Sequence, residues 1–128
     1  MMRLLLDTQI FLWFLENERK IPETARAAIH DTGNAVFVSA AALWEIAIKA
    51  SIGRLRMSAE DVRRLPELID ASGFDELPIL GRHAVGVQAL PWHHRDPFDR
   101  LMIAQARAEN LRIVSVDSIL RSYDVPLL

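Results

Sequence analysis

The chain has 128 residues, a formal net charge of −2 and a sequence pI near 6.1. Its 51% of hydrophobic and 25% of charged residues are typical of a globular protein and exclude a disordered or fibrous one. The length predicts one domain over residues 1–128, and the slightly acidic balance argues against binding of nucleic acid by bulk positive charge. Because the chain lacks cysteine, disulfides, a thiolate nucleophile and cysteine zinc sites are excluded.

Two features of the apolar stretches bear on localisation. Asp7 and Gln9 interrupt the N-terminal apolar stretch, and no run of about 20 apolar residues follows. We therefore expect neither a secretory signal nor a membrane span, and a cytoplasmic location.

Apolar runs of strand length alternate with amphipathic segments along the chain. In order, we expect strand 3–6, helices 8–15 and 23–30, strand 35–38, helices 40–52 and 58–72, strand 74–80, helices 81–90 and 98–109, strand 112–116, a short helix 118–122 and a final strand within 123–126. Pro66 should kink or break the helix 58–72, and Pro78 makes 74–80 an edge strand. Strands separated by helices predict an α/β fold with a mainly parallel sheet.

Asp7 ends the first buried strand immediately before a predicted helix. In open α/β sheets, ligands bind outside the carboxyl ends of the strands, so a functional site is expected at Asp7. The alternative is that the Asp7 carboxylate simply caps the helix that follows.

Further acids fall at element ends or beside apolar faces: Glu45, Asp96, Asp99 and Asp117. Clustered carboxylates are tolerable when a cation offsets their repulsion, and they supply the oxygen ligands that Mg²⁺ and Mn²⁺ prefer. Each acid also has a structural interpretation. Glu45 could pair with Lys49 on an exposed helix face, Asp117 could cap the helix after it, and Asp96 could be the N-cap of a helix that has Asp99 in its first turn.

Histidines, tryptophans and basic residues carry weaker signals. His93, His94 and Asp96 have the residue types of a zinc site but no distant partner. The tryptophans are expected in the core or an interface, with base stacking as an alternative for Trp92; they are Trp13, Trp44 and Trp92. Five basic residues form either a rim that contacts phosphates or an ordinary charged surface, and both interpretations stay open: Lys49, Arg54, Arg56, Arg95 and Arg100.

Four segments, taken together and in this order, resemble the PIN-domain nucleases, in particular the VapC-type toxins. The segments are Leu6-Asp7-Thr8, Ser39 to Lys49 with Gly53-Arg54-Leu55, His94 to Arg100 leading into Ile103 to Ala106, and Val114-Ser115-Val116-Asp117. The resemblance implies a PIN-like three-layer α/β/α fold. It also implies a Mg²⁺- or Mn²⁺-dependent endoribonuclease, acting as the toxin of a type II toxin–antitoxin pair, with an RNA substrate, a cognate protein antitoxin and a homodimer.

The resemblance also assigns roles to individual residues. The family's catalytic and metal-binding acids match Asp7, Glu45, Asp99 and Asp117. Polar positions near the site match Thr8, Ser39 and Ser115, and Asp96 belongs to the Asp-Pro-Phe-Asp form of the third motif. Gln9 departs from the family, which often has Asn two residues after the first acid.

On this interpretation one or two divalent ions held by Asp7, Asp99 and Asp117 activate the water that hydrolyses an RNA phosphodiester, and Glu45 ligates a metal ion or orients the water. The alternatives are a non-catalytic binding or signalling module, either a degenerate PIN domain or a receiver-like domain, and a phosphohydrolase of small substrates. The helix segment Ile10 to Leu15 is apolar on all sides, so it faces either a partner chain or the core of this chain.

Overall fold

The structure is a computed structural model that describes residues 1–92, 96–123 and 127–128. Its four strands are Arg3–Leu6 (β1), Ala35–Ser39 (β2), Asp75–Leu77 (β3) and Arg112–Val114 (β4). They form one parallel sheet in the order β3-β2-β1-β4. Leu6 is the register partner of both Val38 and Val114, so β1, β2 and β4 end at the same edge of the sheet.

Helical segments connect the strands, as parallel pairing requires. The α-helices are Thr8–Glu16 (α1), Glu23–His30 (α2), Ala40–Ser51 (α3), Ala59–Arg63 (α4), Leu65–Ala71 (α5), Gly81–Gly86 (α6) and Pro97–Glu109 (α7). Short 3₁₀ helices cover Glu18–Lys20, Val87–Ala89 and Ser118–Ser122. Among the described residues, no helix has the length and apolar composition that crossing a membrane would need.

The core lies on both faces of the sheet. Leu4, Leu5 and Leu6 are all 0% exposed, although successive strand residues point to opposite faces. Helices therefore cover both sides, which confirms the expected three-layer α/β/α arrangement. On α1, Ile10 and Phe11 are fully buried in the core of this chain, so this part of the apolar helix packs inward.

Several expected elements are shorter in the structure or have another form. β3 ends at Leu77 because Pro78 has no N–H to continue the ladder, and it is an edge strand as predicted. β4 ends at Val114, two residues earlier than expected. The predicted helix 81–90 is α6 followed by a 3₁₀ turn, and residues 118–122 are also 3₁₀.

The expected break at Pro66 is confirmed, because Arg64 separates α4 from α5. Of the predicted final strand within 123–126, residues 124–126 lie outside the described part of the chain. Leu127 does make a parallel bridge to Ile113 of β4.

Candidate active site

A cleft of about 410 Å³ opens where β1 and β4 end. Five carboxylate side chains line this cleft: Asp7, Glu45, Asp96, Asp99 and Asp117. They come from the ends of two strands, from the middle of α3 and from the start of α7. The structure thus brings together the four acids that the sequence analysis selected, with Asp96 beside them. Two cationic side chains, Lys49 and Arg54, share the cleft.

Asp7 has a structural role and faces the cleft as well. Its side chain caps α1 by accepting a 2.8 Å hydrogen bond from the Ile10 N–H, and its own N–H donates to the Val114 carbonyl at 3.1 Å. Burial raises the pKa of the Asp7 carboxyl, opposed by hydrogen bonds from Ser115 and Ile10, and the negative charges of Asp117 and Glu45 raise it further. A cation in the cleft would relieve this unfavourable charge.

Glu45 is buried, which contradicts the alternative that it lies on an exposed helix face. It is 4% exposed. The Thr8 hydroxyl donates to Glu45 Oε1 at 2.6 Å, and the Lys49 ammonium donates to Glu45 Oε2 at 2.5 Å. The predicted Glu45–Lys49 pair is therefore confirmed, but it is a pair at the wall of the cleft.

Lys49 lies among negative charges. Its hydrogen bond to Glu45 raises the pKa of the ammonium, burial opposes this, and the charges of Glu45, Asp96 and Asp99 raise the pKa further. The side chain is 44% exposed, so water reaches it from the cleft.

Asp96 lies just before α7, and Asp99 lies in its first turn. Asp96 is the N-cap, as predicted, and accepts hydrogen bonds from the backbone N–H groups of Phe98 at 2.9 Å and Asp99 at 3.3 Å. Pro97 occupies the first helical position, where no N–H is needed. Both carboxylates line the cleft, so the capping and the cleft-facing interpretations of Asp96 hold together.

Asp117 and Ser115 follow β4. The predicted capping role of Asp117 is confirmed, since its side chain accepts from the Ile119 N–H at 3.1 Å. The Ser115 hydroxyl accepts a hydrogen bond from the Asp117 N–H at 3.0 Å, and its interaction with the Asp7 carboxylate lowers the pKa of that group. Ser115 thus connects two acids of the cleft.

Ser39 caps α3, as predicted, and is not one of the residues that line the cleft. It is 0% exposed, and its hydroxyl donates to Gln105 Oε1 at 2.5 Å. This role of Gln105 was not predicted from the sequence. Gln105 is also fully buried, and its amide donates to the Pro78 carbonyl at 3.2 Å. A glutamine within the apolar run Ile103 to Ala106 was the signal that could have found it.

The predicted basic rim is partly wrong. Arg100 is 3% exposed, and its guanidinium donates to the carbonyl oxygens of Pro91 at 2.8 Å and Val87 at 3.2 Å. Arg100 therefore anchors the chain before α7 and cannot belong to an exposed rim. Lys49 and Arg54 do line the cleft, and Arg56 is exposed. Arg95 lies outside the described residues.

Two of the three tryptophans are more exposed than a core position allows. Trp44 is 57% exposed and packs edge-on against Phe98, with ring centroids 5.2 Å apart. Trp92 is 78% exposed, and the Arg100 guanidinium lies 4.0 Å from its ring centroid. Trp13 is partly buried against the core.

The weak zinc signal depends on His93 and His94, which lie outside the described residues.

The donor set of the cleft fits a hard divalent cation. Its five carboxylates supply only oxygen ligands and face two cationic groups, so the cleft carries a net negative charge. Within the described ranges, no three acidic or histidine side chains converge on one metal position. Mg²⁺ retains several waters and is commonly bound through one or two carboxylates, so this arrangement suits it.

Comparisons with known proteins agree with this fold. The PIN domain family model matches residues 4–126, and no curated protein gives a significant match. Similar solved structures include VapBC2 from Rickettsia felis bound to a DNA fragment from their promoter, with a TM-score of 0.71, 14% identity and coverage of 99% of this chain and 97% of that chain. FitAcB from Neisseria gonorrhoeae gives a TM-score of 0.59 at 19% identity, covering 98% of this chain and 96% of that chain. FitAB bound to an IR36 DNA fragment gives 0.61 at 19% identity, covering 98% and 93%. The family model spans nearly the whole chain, and the chain belongs to the PIN domain family.

Proposed function

We propose that this protein is a Mg²⁺- or Mn²⁺-dependent endoribonuclease and the toxin of a type II toxin–antitoxin pair. The observation that carries the proposal is the convergence of Asp7, Glu45, Asp99 and Asp117 on one cleft in a PIN domain. PIN domains are generally nucleases and usually use divalent metals.

Each group of the cleft has a part in this proposal. Asp7, Asp99 and Asp117 would hold the divalent ion, one or two of them directly and the others through water bound to the ion. When bound, the ion supplies an activated water and charge stabilisation for phosphodiester hydrolysis. Glu45, fixed by Thr8, would add a ligand or orient the water. Asp96 holds the first turn of α7 and so positions Asp99.

Charge in the cleft supports a role for a cation in substrate binding. An RNA phosphate that approached five carboxylates alone would be repelled, and Lys49 and Arg54 offset only part of this charge. A bound divalent ion would neutralise most of the remaining negative charge, and the two side chains would then position the backbone. Recognition of the RNA in this way does not require a basic protein, which agrees with the net charge of −2.

The toxin assignment is supported by the structural neighbours, which come from VapBC- and FitAB-type toxin–antitoxin systems. We therefore include a cognate antitoxin among the proposed partners. Homodimer formation remains a prediction from the family resemblance.

The test is cleavage of total RNA and of a defined single-stranded RNA by purified protein with Mg²⁺, Mn²⁺ or EDTA. Asp7→Asn/Asp99→Asn removes two carboxylates while retaining side chains of the same shape. Since loss of a residue that merely supports a metal ligand already costs about 10- to 100-fold, we expect this variant to lose more than about 100-fold in rate.

Asp61→Asn/Asp70→Asn is the matched control, because it removes the same charge from exposed positions outside the cleft lining. It should cut RNA like the wild type, and circular dichroism should show all three proteins folded. Equal rates for the wild type and the cleft variant would contradict the catalytic assignment. A folded wild type that binds RNA without cutting it would favour a degenerate domain kept for binding.

A further inference from the structure

Lys49 holds a carboxylate that the proposed function needs. Its ammonium contacts Glu45 Oε2 at 2.5 Å, while the Thr8 hydroxyl occupies Oε1 at 2.6 Å. Both oxygens of this buried side chain are thus engaged within the protein. To ligate an ion through Oε2, Glu45 would have to release or share the contact with Lys49.

The surroundings of Lys49 are those of a counter-ion to the acidic side chains of the cleft. Its side chain lines the acidic cleft, and the charges of Asp96 and Asp99 act on it in addition to that of Glu45. The side chain is 44% exposed, whereas that of Glu45 is 6% exposed. The Lys49 ammonium can therefore move into water when another cation takes its place, but Glu45 cannot leave the wall of the cleft.

We propose that Lys49 is an internal counter-ion that occupies Glu45 in the metal-free protein and competes with the divalent ion for it. This inference depends on the proposed metal dependence of the cleft. Binding of the ion would exchange one cation for another at the Glu45 carboxylate, and the released ammonium would remain in the cleft on its four-carbon stem. Lys49 is in this sense a positioning residue that lowers metal affinity.

Arg54 offers a matched comparison. It also lines the cleft and carries one positive charge, but it is exposed and α3 ends before it. Removal of either positive charge weakens the electrostatic repulsion of a metal ion, so this effect raises metal affinity in both variants. The difference between the two substitutions isolates the contact with Glu45.

The experiment is titration of the intact metal-free protein with Mn²⁺ alone. Binding is measured by isothermal titration calorimetry and, separately, by the thermal shift that Mn²⁺ induces. Lys49→Met should bind Mn²⁺ about fivefold or more tightly than the wild type, because the ion no longer displaces an ion pair. Arg54→Met should change the affinity by about twofold or less, since exposed charges are screened by salt. Lys49→Arg keeps the charge and should bind like the wild type.

A double-mutant cycle tests the link to Glu45 directly. In a Glu45→Gln background, Lys49→Met should change Mn²⁺ affinity no more than Arg54→Met does. Equal or weaker Mn²⁺ binding by folded Lys49→Met would overturn the counter-ion role, and if the wild type still cuts RNA with Mn²⁺, the proposed function would stand. If neither wild type nor Lys49→Met binds Mn²⁺ and neither cuts RNA, the proposed function fails and this inference fails with it.

Discussion

Thr8→Val tests how the wall of the cleft is held together. Thr8 is 8% exposed, and its hydroxyl donates a 2.6 Å hydrogen bond to Glu45 Oε1. Valine has nearly the same shape and the same branching at Cβ, so the substitution removes the hydrogen bond with little change in packing. The buried Glu45 carboxylate then keeps Lys49 as its partner at the other oxygen.

The magnitude follows from two opposing terms. A hydrogen bond to a charged group contributes about 1.5–3 kcal/mol, and the methyl group gained by valine returns up to about 0.8 kcal/mol. We expect the free energy of unfolding to fall by about 1–2 kcal/mol. For a domain of this size that corresponds to a decrease in Tm of about 4–8 °C.

The assay is urea unfolding at neutral pH, followed by circular dichroism and repeated as a thermal scan. Thr24→Val is the matched control, because Thr24 is exposed on α2 and its substitution should shift stability by no more than about 0.5 kcal/mol. In a Glu45→Gln background the cost of Thr8→Val should decrease, since a bond between neutral groups contributes only about 0.5–1.5 kcal/mol. Equal costs for Thr8→Val and Thr24→Val would refute the conclusion that Thr8 holds Glu45.

Two further predictions concern parts of the chain outside the cleft. Asn110 ends α7 with φ of 59°, so Asn110→Ala should cost about 1 kcal/mol, measured by urea unfolding, whereas Asn110→Gly should not destabilise. Hydrogen bonds from His83 and Arg82 lower the pKa of the Glu109 carboxyl below its ordinary 4.5. This contribution to stability is fully present above pH 4.5 and is lost as the pH falls through the lowered pKa, so Glu109→Gln should flatten the acid limb of the stability–pH curve. An unchanged acid limb, or an Asn110→Ala protein as stable as the wild type, would contradict the respective assignment.

Features set by local sequence were predictable. Asp7, Ser39 and Asp96 cap helices because each precedes an apolar helical pattern, and each does so in the structure. The left-handed Asn110 at the end of α7 follows the same local logic. Asp7 and Asp117 both reach the cleft because the parallel strands β1 and β4 end at one edge of the sheet, a consequence of fold class. Glu45 and Asp99 reach it from the helices α3 and α7.

Features set by distant contacts were not predictable from local patterns. Glu45 has a second partner, Thr8, that lies 37 positions away, and the partner of Ser39, Gln105, lies 66 positions away. Arg100 looked like one more basic residue near the third motif, yet it is buried against carbonyl oxygens of the preceding loop. Periodicity places a side chain on a face of its own helix but does not reveal what covers that face.

The acids of the cleft combine a chemical and a structural role, and this determines how they must be tested. Asp7, Asp96 and Asp117 each accept a backbone N–H at the start of a helix while lining the cleft. Alanine at an N-cap costs about 0.5–2 kcal/mol of stability, so an inactive alanine variant would not distinguish a lost ligand from a loosened helix. Asparagine caps a helix about as well as aspartate and removes the negative charge. Loss of activity in an asparagine variant of unchanged stability would therefore report the chemistry of the carboxylate alone.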